Sequence, residues 1–208
     1  MPHLFLLSPA NAAGVRAQQL LSPRAGFELA RRVQSPQGAQ MGEVFAFVSG
    51  LYFRGKLTYA QRFANVGDHP ARTELGGGVL VITPGAGLRS ADTHVNAEAL
   101  RLFAQIEIDL ANPAYRTPLV ASARRVARAI GDGGEVVLLG SIASPKYVDV
   151  LLDIFGPRLL FPTAFVGRGD MSRGGLLLRQ ARAGVELDYE PVMGAVRHGA
   201  RPPKLGKL

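Results

Sequence analysis

The sequence predicts an α/β fold of one domain, with a mainly parallel central sheet flanked by helices. Short continuous apolar runs at residues 4–7, 79–82 and 136–139 are typical of strands that are buried on both faces of a sheet. Segments with apolar residues at helical spacing lie between these runs. Each of the three runs ends in a turn of small or polar residues, so the carboxyl ends of the strands are expected to form one polar cleft.

The first half of the chain contains one predicted strand followed by helices. After the strand at 4–7, Pro9 stops the run, and Asn11 either contacts a ligand or caps the next helix. Residues 65–78 are polar and glycine-rich and are predicted to form a surface loop. Helices are predicted at residues 12–21 and 27–33, and as a pair within 41–64 that breaks near Ser49 and Gly50.

The second half alternates strands and helices. Residues 83–89 are predicted to be a Gly/Pro turn, residues 106–109 a short edge strand or an extended lead-in, and Asn112-Pro113 a turn. Further strands are predicted at 159–161 and, at an edge, 186–192. Helices are predicted at 95–104, 119–130, 145–155 and 175–183. The domain is expected to cover residues 1–196, and residues 197–208 form a basic Pro/Gly tail.

Composition limits the classes of function. The 208 residues carry a net charge of +8, and the excess cations lie in residues 1–62 and 156–208. A polyanionic partner (DNA, RNA or a nucleotide) would explain this distribution, and an arginine-rich composition that only keeps the surface soluble is the alternative. Because the chain has no cysteine, it has no disulfide and no cysteine-ligated metal. No run approaches the roughly 20 apolar residues of a membrane helix, so a cytoplasmic protein without a membrane partner is expected.

Residues 167–175, GRGDMSRGG, form the segment richest in chemically active groups. Arg168 and Arg173 could bind a phosphate bidentately, with backbone N–H groups near Ser172 adding to the site. The alternative is that Asp170 caps the following helix and pairs with one of the arginines. The four glycines favour a ligand that approaches the backbone closely.

Residues 49–60 contain a second basic segment. Tyr52, Arg54, Lys56 and Tyr59 interleave cations with aromatic rings, a combination that can stack on bases and pair with phosphates. An aromatic core stripe with solvated cations is the more common alternative. Both remain open from the sequence.

Five short motifs resemble the YaaA peroxide-stress family in their order along the chain. LLSPAN at 6–11 is similar to that family's "SPAK" strand end, and SGLYFRGKLTYA at 49–60 to its Gly-x-x-Tyr-x-Gly-Leu segment. VLVITPGAGLRSADT at 79–93 resembles its "LSGLYGLLrPlD" turn, with Asp92 matching the family's Asp. VVLLGSIASPKYVDVL at 136–151 resembles its "vNLASxEY" segment, and GRGDMSRGG its "RG-x-M" element.

The resemblance implies an α/β fold with a polar cleft, a link to oxidative stress, and association with DNA. The chain departs from the family where Asn11 replaces the Lys of "SPAK", and its length leaves little room for the family's helix-hairpin-helix insertion. A more distant similarity, at residues 139–143, is to uracil-DNA-glycosylase-like folds. The water-activating Asp motif of those enzymes is absent after the first strand.

The candidate residues follow from the strand ends, the two basic segments and the resemblance. Asp92 and Asp170 are the carboxylates of these turns and could act as a general base, although for Asp92 the residues favour a role in stabilising its turn. Ser141 lacks a recognisable base, and the scattered histidines indicate no triad and no metal site. The candidate ligand-binding residues are Ser8, Asn11, Tyr52, Arg54, Thr83, Gly85, Gly87, Ser141, Lys146, Tyr147, Arg168, Ser172 and Arg173.

The sequence therefore leaves several functions open. The protein is expected to bind a nucleotide or nucleic acid in an Arg/Gly-rich cleft, and the resemblance implies a role in oxidative-stress or DNA-damage protection. The alternatives are an enzyme that processes bases or N-glycosidic bonds, and a non-enzymatic interaction protein whose cleft is structural. Neither a cofactor nor a reaction is indicated by the residues alone.

Overall fold

A six-stranded sheet lies at the centre of the protein, described here from a computed structural model that covers residues 3–203. Its strand order is β4-β3-β1-β6-β7-β8, and β2 pairs with β5 in a separate antiparallel ribbon. The strands within the described range are β1 (His3–Leu7), β2 (Ala39–Gln40), β3 (Val79–Thr83), β4 (Gly87–Ser90), β5 (His94–Val95), β6 (Glu135–Leu139), β7 (Leu159–Pro162) and β8 (Tyr189–Pro191).

The four inner strands of the sheet are parallel and confirm the predicted fold class. β1 pairs in parallel with β3 on one side and with β6 on the other, and β6 pairs in parallel with β7. The edge strands β4 and β8 are antiparallel to their neighbours. In register, Leu7 lies between Val81 of β3 and Leu139 of β6.

Helices cover both faces of the sheet, which is why its inner strands are apolar without alternation. Phe5 and Leu7 of β1 pack into a core with α1 to α5 and α8, whereas Leu4 and Leu6 pack into a second core with α6 and α7. The helices are α1 (Val15–Leu21), α2 (Glu28–Gln34), α3 (Met41–Ser49), α4 (Leu51–Phe63), α5 (Ala97–Gln105), α6 (Pro113–Ile130), α7 (Val148–Phe155) and α8 (Asp170–Ala183).

The predicted break in the pair of helices within 41–64 is confirmed. Gly50 has φ +67°, a conformation that L side chains rarely adopt, and it separates α3 from α4. The loop at 65–78 also agrees with the prediction, apart from one short 3₁₀ turn at Gly76–Gly78.

Several predicted boundaries are wrong for local physical reasons. Asn112-Pro113 does not form a free turn: the Asn112 side chain accepts a hydrogen bond from Ala114 N (3.1 Å), and Pro113 occupies the first turn of α6. The predicted turn at 83–89 contains the start of β4, which pairs with β3 as a hairpin. Residues 106–109 form no strand, so the first of the two predictions is wrong.

Helix α8 begins at Asp170, five residues before the predicted start. Most of the glycine- and arginine-rich segment therefore forms the first turns of a helix. Two of its glycines also have a packing reason: a Cβ at Gly174 would lie 2.9 Å from Leu51 O, and one at Gly55 would lie 2.6 Å from Gly174 O. These two glycines allow α4 and α8 to cross in backbone contact.

The carboxyl-terminal segment runs without helix or strand after β8, as far as the structure describes it. Arg197 forms an ion pair of 3.4 Å with Asp149 of α7. The last five residues of the predicted tail, 204–208, lie outside the described residues. Among the described helices, none combines the length and apolar character that a bilayer crossing requires.

Candidate functional site

The carboxyl ends of β1 and β6 form the topological switch point of the sheet. The chain leaves β1 toward β3 on one side and later returns to β6 on the other, so the segments that follow β1 and β6 diverge. Ser8 N donates to Leu139 O (3.2 Å) and thereby extends the ladder by one bond before the split. In open α/β sheets, ligands bind in the crevice at this position.

A cleft of about 600 Å³ opens beside the switch point. This volume is in the range of small-molecule and cofactor sites. The cleft contains four of the sequence-predicted residues, Ser8, Asn11, Lys146 and Tyr147. It is lined by residues 8–13, Pro84, residues 103–108, Lys146 and Tyr147.

The loop from Ser8 to Gly14, whose residues 8–13 line this cleft, contains backbone donors without a partner. Pro9 has no N–H group, and the N–H groups of Ala10, Asn11 and Ala12 donate no hydrogen bond within residues 3–203. Asn11 does not cap α1, because its Oδ1 accepts from Ala13 N (3.0 Å) and the N-cap residue is Gly14. Three consecutive unpaired amides in a cleft wall are suited to an anion or an oxyanion.

Lys56 lies directly beneath Ser8 and is almost completely buried. Its Nζ donates to both the carbonyl oxygen and the Oγ of Ser8, each at 2.8 Å. The Nζ also lies 4.6 Å from the ring centroid of Tyr52 and 4.7 Å from that of Phe53. Burial lowers the pKa of Lys56 from 10.5 to about 7, Asp170 acts to raise it, and Arg173 lowers it further.

Tyr147 closes the other side of Ser8. Its hydroxyl accepts from Ser141 N (3.0 Å) and donates to Ser141 O (3.2 Å), and burial raises its pKa. Gly140 allows this approach, because a Cβ there would lie 2.8 Å from the Tyr147 hydroxyl and 2.9 Å from the Ser8 Cβ. Ser141 contributes its backbone to this contact, and its hydroxyl donates no hydrogen bond among the described residues.

Asp170 and Arg173 of α8 form the charged border of this region. The Arg173 Nη1 lies 3.6 Å from Asp170 Oδ1, and its guanidinium donates to Phe165 O, with Nη2 at 3.1 Å. The predicted pairing of Asp170 with an arginine is therefore observed. Burial raises the pKa of Tyr52, whose buried hydroxyl makes no well-formed hydrogen bond although Arg173 lies near enough to lower that pKa.

Arg168 and Ser172 face away from the cleft toward the carboxyl-terminal segment. The Arg168 Nε donates to Ala164 O (2.9 Å), and its Nη1 lies 3.2 Å from Ser172 Oγ and 3.4 Å from Pro203 O. The two residues thus hold together the start of α8 and the segment near Pro203. Neither lines the switch-point cleft.

The candidate residues after β3 stabilise the β3–β4 hairpin. Thr83 is fully buried; its Oγ1 donates to Gly87 O (2.8 Å) and accepts from Ala86 N (2.9 Å). Gly87 has φ +69° and packs against Pro118, while Gly85 packs against Ile106. Asp92 is exposed in the turn after β4, where its N–H donates to Ser90 Oγ (3.2 Å).

The structure separates the members of the aromatic and basic segment at 52–59. Tyr59 is fully buried, and its hydroxyl bonds Leu187 N (2.7 Å) and the Tyr189 hydroxyl (2.6 Å), so it cannot stack on a base. Arg54 is exposed in a different cleft of about 700 Å³ beside Met171. Only Lys56 and Tyr52 belong to the switch-point region.

A groove rich in arginine adjoins the cleft across the β3–β4 turn. Pro84 lines the cleft, whereas the next two residues of the turn line this groove of about 530 Å³. Among the described residues, none of its four guanidinium groups has a hydrogen-bond or ion-pair partner. These guanidinium groups belong to Arg89, Arg124, Arg125 and Arg128, and we name the groove that they line the arginine groove.

Sequence reasoning missed Glu107, and it named Lys56 only as a member of a basic segment and not as a buried group of the site. Lys56 follows Phe53 by three residues and precedes Ala60 by four, so it occupies the apolar stripe of α4, which was the available signal. Glu107 lies in the irregular segment after α5 and, among the described residues that line the cleft, is the one carboxylate. Nothing in its sequence context distinguishes it. Within residues 3–203, no group of three or more His, Asp or Glu side chains could hold a metal ion.

Comparisons with known proteins do not extend these observations: no family model, no curated protein and no solved structure matches the chain. The resemblance of its motifs to the YaaA family therefore stays a prediction. The geometry of the cleft carries the functional argument.

Proposed function

We propose that the protein binds a nucleotide, free or as part of a nucleic acid, in the switch-point cleft. The observation that carries the proposal is the set of unpaired N–H groups of Ala10, Asn11 and Ala12 at the carboxyl end of β1. Backbone amides at this position of an α/β sheet are a common phosphate-binding arrangement. The proposed anion site thus lies on residues 10–12, and not on Arg168 and Arg173, whose guanidinium groups bond carbonyl oxygens.

The two exposed charged side chains of the cleft fit the two ends of such a ligand. Lys146 would pair with the phosphate, because its ammonium group makes no contact with an acid among the described residues. Glu107 would accept hydrogen bonds from sugar hydroxyl groups, a role that an acidic residue has in many dinucleotide-binding folds. A ligand with both groups is therefore favoured over inorganic phosphate.

Isothermal titration with mononucleotides, the matching nucleosides and inorganic phosphate tests the proposal. We expect a nucleotide to bind more tightly than either the nucleoside or inorganic phosphate. Lys146→Ala should weaken nucleotide binding about tenfold, and Glu107→Gln should weaken the binding of the nucleoside. Arg182→Ala is the matched control, since Arg182 is exposed in the last turn of α8 and lines none of these clefts. Equal affinities of the wild type, Lys146→Ala and Glu107→Gln would place any bound nucleotide elsewhere.

The arginine groove favours nucleic acid as the form in which the nucleotide is presented. Its four unpaired guanidinium groups continue from the cleft wall across one turn of chain, so a bound strand could place phosphates on the arginines and one nucleotide in the cleft. Four neutralised phosphates would give a slope of log affinity against log salt of roughly −3 to −4.

A salt series with single- and double-stranded oligonucleotides separates this second proposal from the first. We expect the double variant Arg124→Ala/Arg128→Ala to reduce the salt slope by about 2 and to leave mononucleotide binding unchanged. The double variant Arg62→Ala/Arg182→Ala removes the same charge away from the groove and should keep the slope. If both double variants reduce the slope of log affinity against log salt equally, the effect comes from overall charge and not from binding in the arginine groove.

Protection against peroxide inside the cell is the biological role that the YaaA resemblance adds to this proposal. It is tested by peroxide survival of cells that lack the gene and are complemented with either the wild type or Lys146→Ala. We expect the wild type to restore survival and the variant to fail. Equal survival of all strains would remove oxidative stress from the proposal without affecting nucleotide binding.

A further inference from the structure

We propose that Ser8 is a nucleophile for acyl transfer and that Lys56 is its general base. The inference goes beyond nucleotide binding and does not depend on it. Its basis is the position of the two groups: Ser8 lines the switch-point cleft, and the Lys56 Nζ lies 2.8 Å from the Ser8 Oγ. A nucleophile and a base within hydrogen-bond reach are the minimum unit of an activated serine.

The surroundings of Lys56 favour a neutral amine that can accept a proton. The side chain is buried by the aromatic rings of Tyr52 and Phe53, and the Ser8 carbonyl takes one of its N–H donors at 2.8 Å. The remaining lone pair can then accept the Ser8 hydroxyl proton across the second 2.8 Å contact. Burial also keeps bulk water from competing for the amine.

The ionisable groups around Lys56 come from three elements. Tyr52 lies on α4 itself, Asp170 and Arg173 on α8, and Tyr147 behind β6 on the other side of Ser8. Asp170 favours the protonated amine, and Arg173 favours the neutral form. Because Asp170 is exposed and is paired with Arg173, desolvation outweighs the attraction of the carboxylate and sets the pKa of Lys56 at about 7.

The cleft wall also supplies what an acyl intermediate needs. Residues 10–12 follow Ser8 by two to four positions and line the same cleft, and their N–H groups are unpaired among the described residues. They would donate to the oxyanion that forms when a carbonyl is attacked. The arrangement lacks the histidine of the common triad and belongs to the serine–lysine variant of that chemistry.

Each proton has a defined place in the reaction, and the substrate class is a carboxylic ester that fits the cleft. The Ser8 Oγ attacks the carbonyl carbon, and its proton passes to the Lys56 Nζ as the new C–O bond forms. The ester C–O bond breaks, and the leaving alcohol takes that proton from Lys56. Water then attacks the carbonyl carbon of the acyl-serine and gives one proton to the Lys56 Nζ. The bond to the Ser8 Oγ breaks, the carboxylic acid leaves, and Lys56 returns that proton to the Ser8 Oγ. The sum is ester and water to acid and alcohol.

A fluorophosphonate probe tests the nucleophile directly. The Ser8 Oγ displaces fluoride, and the phosphonyl adduct is located by mass spectrometry of the digested protein. We expect one adduct on Ser8, whose rate of formation rises with pH and is half-maximal near pH 7, because the neutral fraction of Lys56 rises there. We expect Lys56→Met to slow labelling by about 10²-fold at pH 8.

Ser8→Ala should abolish labelling, and Ser22→Ala should leave it unchanged, since Ser22 is a serine at the end of α1 with no amine beside its hydroxyl. If Lys56→Met does not fold, the proposal is still tested by the pH dependence of the labelling rate of the wild type and by the loss of labelling in Ser8→Ala. Absence of an adduct at pH 8, an adduct on another residue, or a rate independent of pH between 6 and 8.5 would overturn the proposal.

Discussion

Replacement of Lys56 by methionine should change how the stability of the protein depends on pH. Lys56 is buried, and its pKa falls from 10.5 to about 7 on folding. Methionine keeps an unbranched apolar side chain but cannot bind a proton. The variant therefore isolates the energetic cost of placing an amine in this position.

The sign of the effect follows from proton uptake. Between pH 7 and 10.5 the unfolded chain holds the Lys56 proton and the folded protein does not, so the free energy of unfolding rises with pH in that window. Each pH unit contributes about 1.4 kcal/mol, which gives about 3 kcal/mol between pH 7 and 9.5. Below pH 7 both states hold the proton, and this group contributes no slope.

Urea denaturation of the wild type and Lys56→Met at several pH values from 6 to 9.5 measures this difference. All other titrating groups are common to the two proteins, so the difference between their unfolding free energies reports Lys56 alone. Lys146→Met is the control, because Lys146 is exposed and should leave the difference flat. A difference between wild type and Lys56→Met that stays constant across this range would refute the reasoning.

Three further substitutions test the packing that supports the site, each by thermal or urea unfolding. Gly174→Ala should destabilise the protein by about 1–3 kcal/mol, because the new Cβ would meet the backbone of α4, whereas Gly169→Ala, with open space at its Cβ, should have a small effect. Tyr59→Phe should cost about 1–3 kcal/mol, since the buried Leu187 N–H would lose its acceptor. Thr83→Val should cost a similar amount by removing both hydrogen bonds that close the β3–β4 hairpin.

Much of the fold could be predicted because its inner strands carry their own signal. A run such as Val136–Leu139 is apolar at every position, and only a sheet covered on both faces buries all of it. Strand β4 lacked such a signal, because Gly87, Arg89 and Ser90 are not residues typical of a strand. They form one because they pair with the buried strand β3. The early start of α8 was missed for the related reason that glycine lowers helix propensity, while contact with α4 favours the helix.

The site was predicted where it depends on strand ends and missed where it depends on distant contacts. Ser8, Asn11, Lys146 and Tyr147 follow buried strands, and the structure brings them to one cleft. From the sequence, Lys56 was expected either to pair with phosphates or to be solvated, because a lysine among aromatic residues usually keeps its charge in water. Its place in the apolar stripe of α4 was a local signal, but the burial itself depends on α8, which is far away in sequence.

The glycine contact between α4 and α8 has a consequence for how the protein is made. Helix α4, which carries Lys56, and strand β1, which Ser8 follows, are synthesised before α8, the helix that contains Gly174. In a nascent chain that ends before Asp170, the side of α4 beside Lys56 is uncovered, and we expect the amine to stay hydrated and to keep its proton. Docking of α8 on α4 would then be the step that dehydrates the amine, so the chemistry proposed for Ser8 would begin only after α8 has been synthesised and packed.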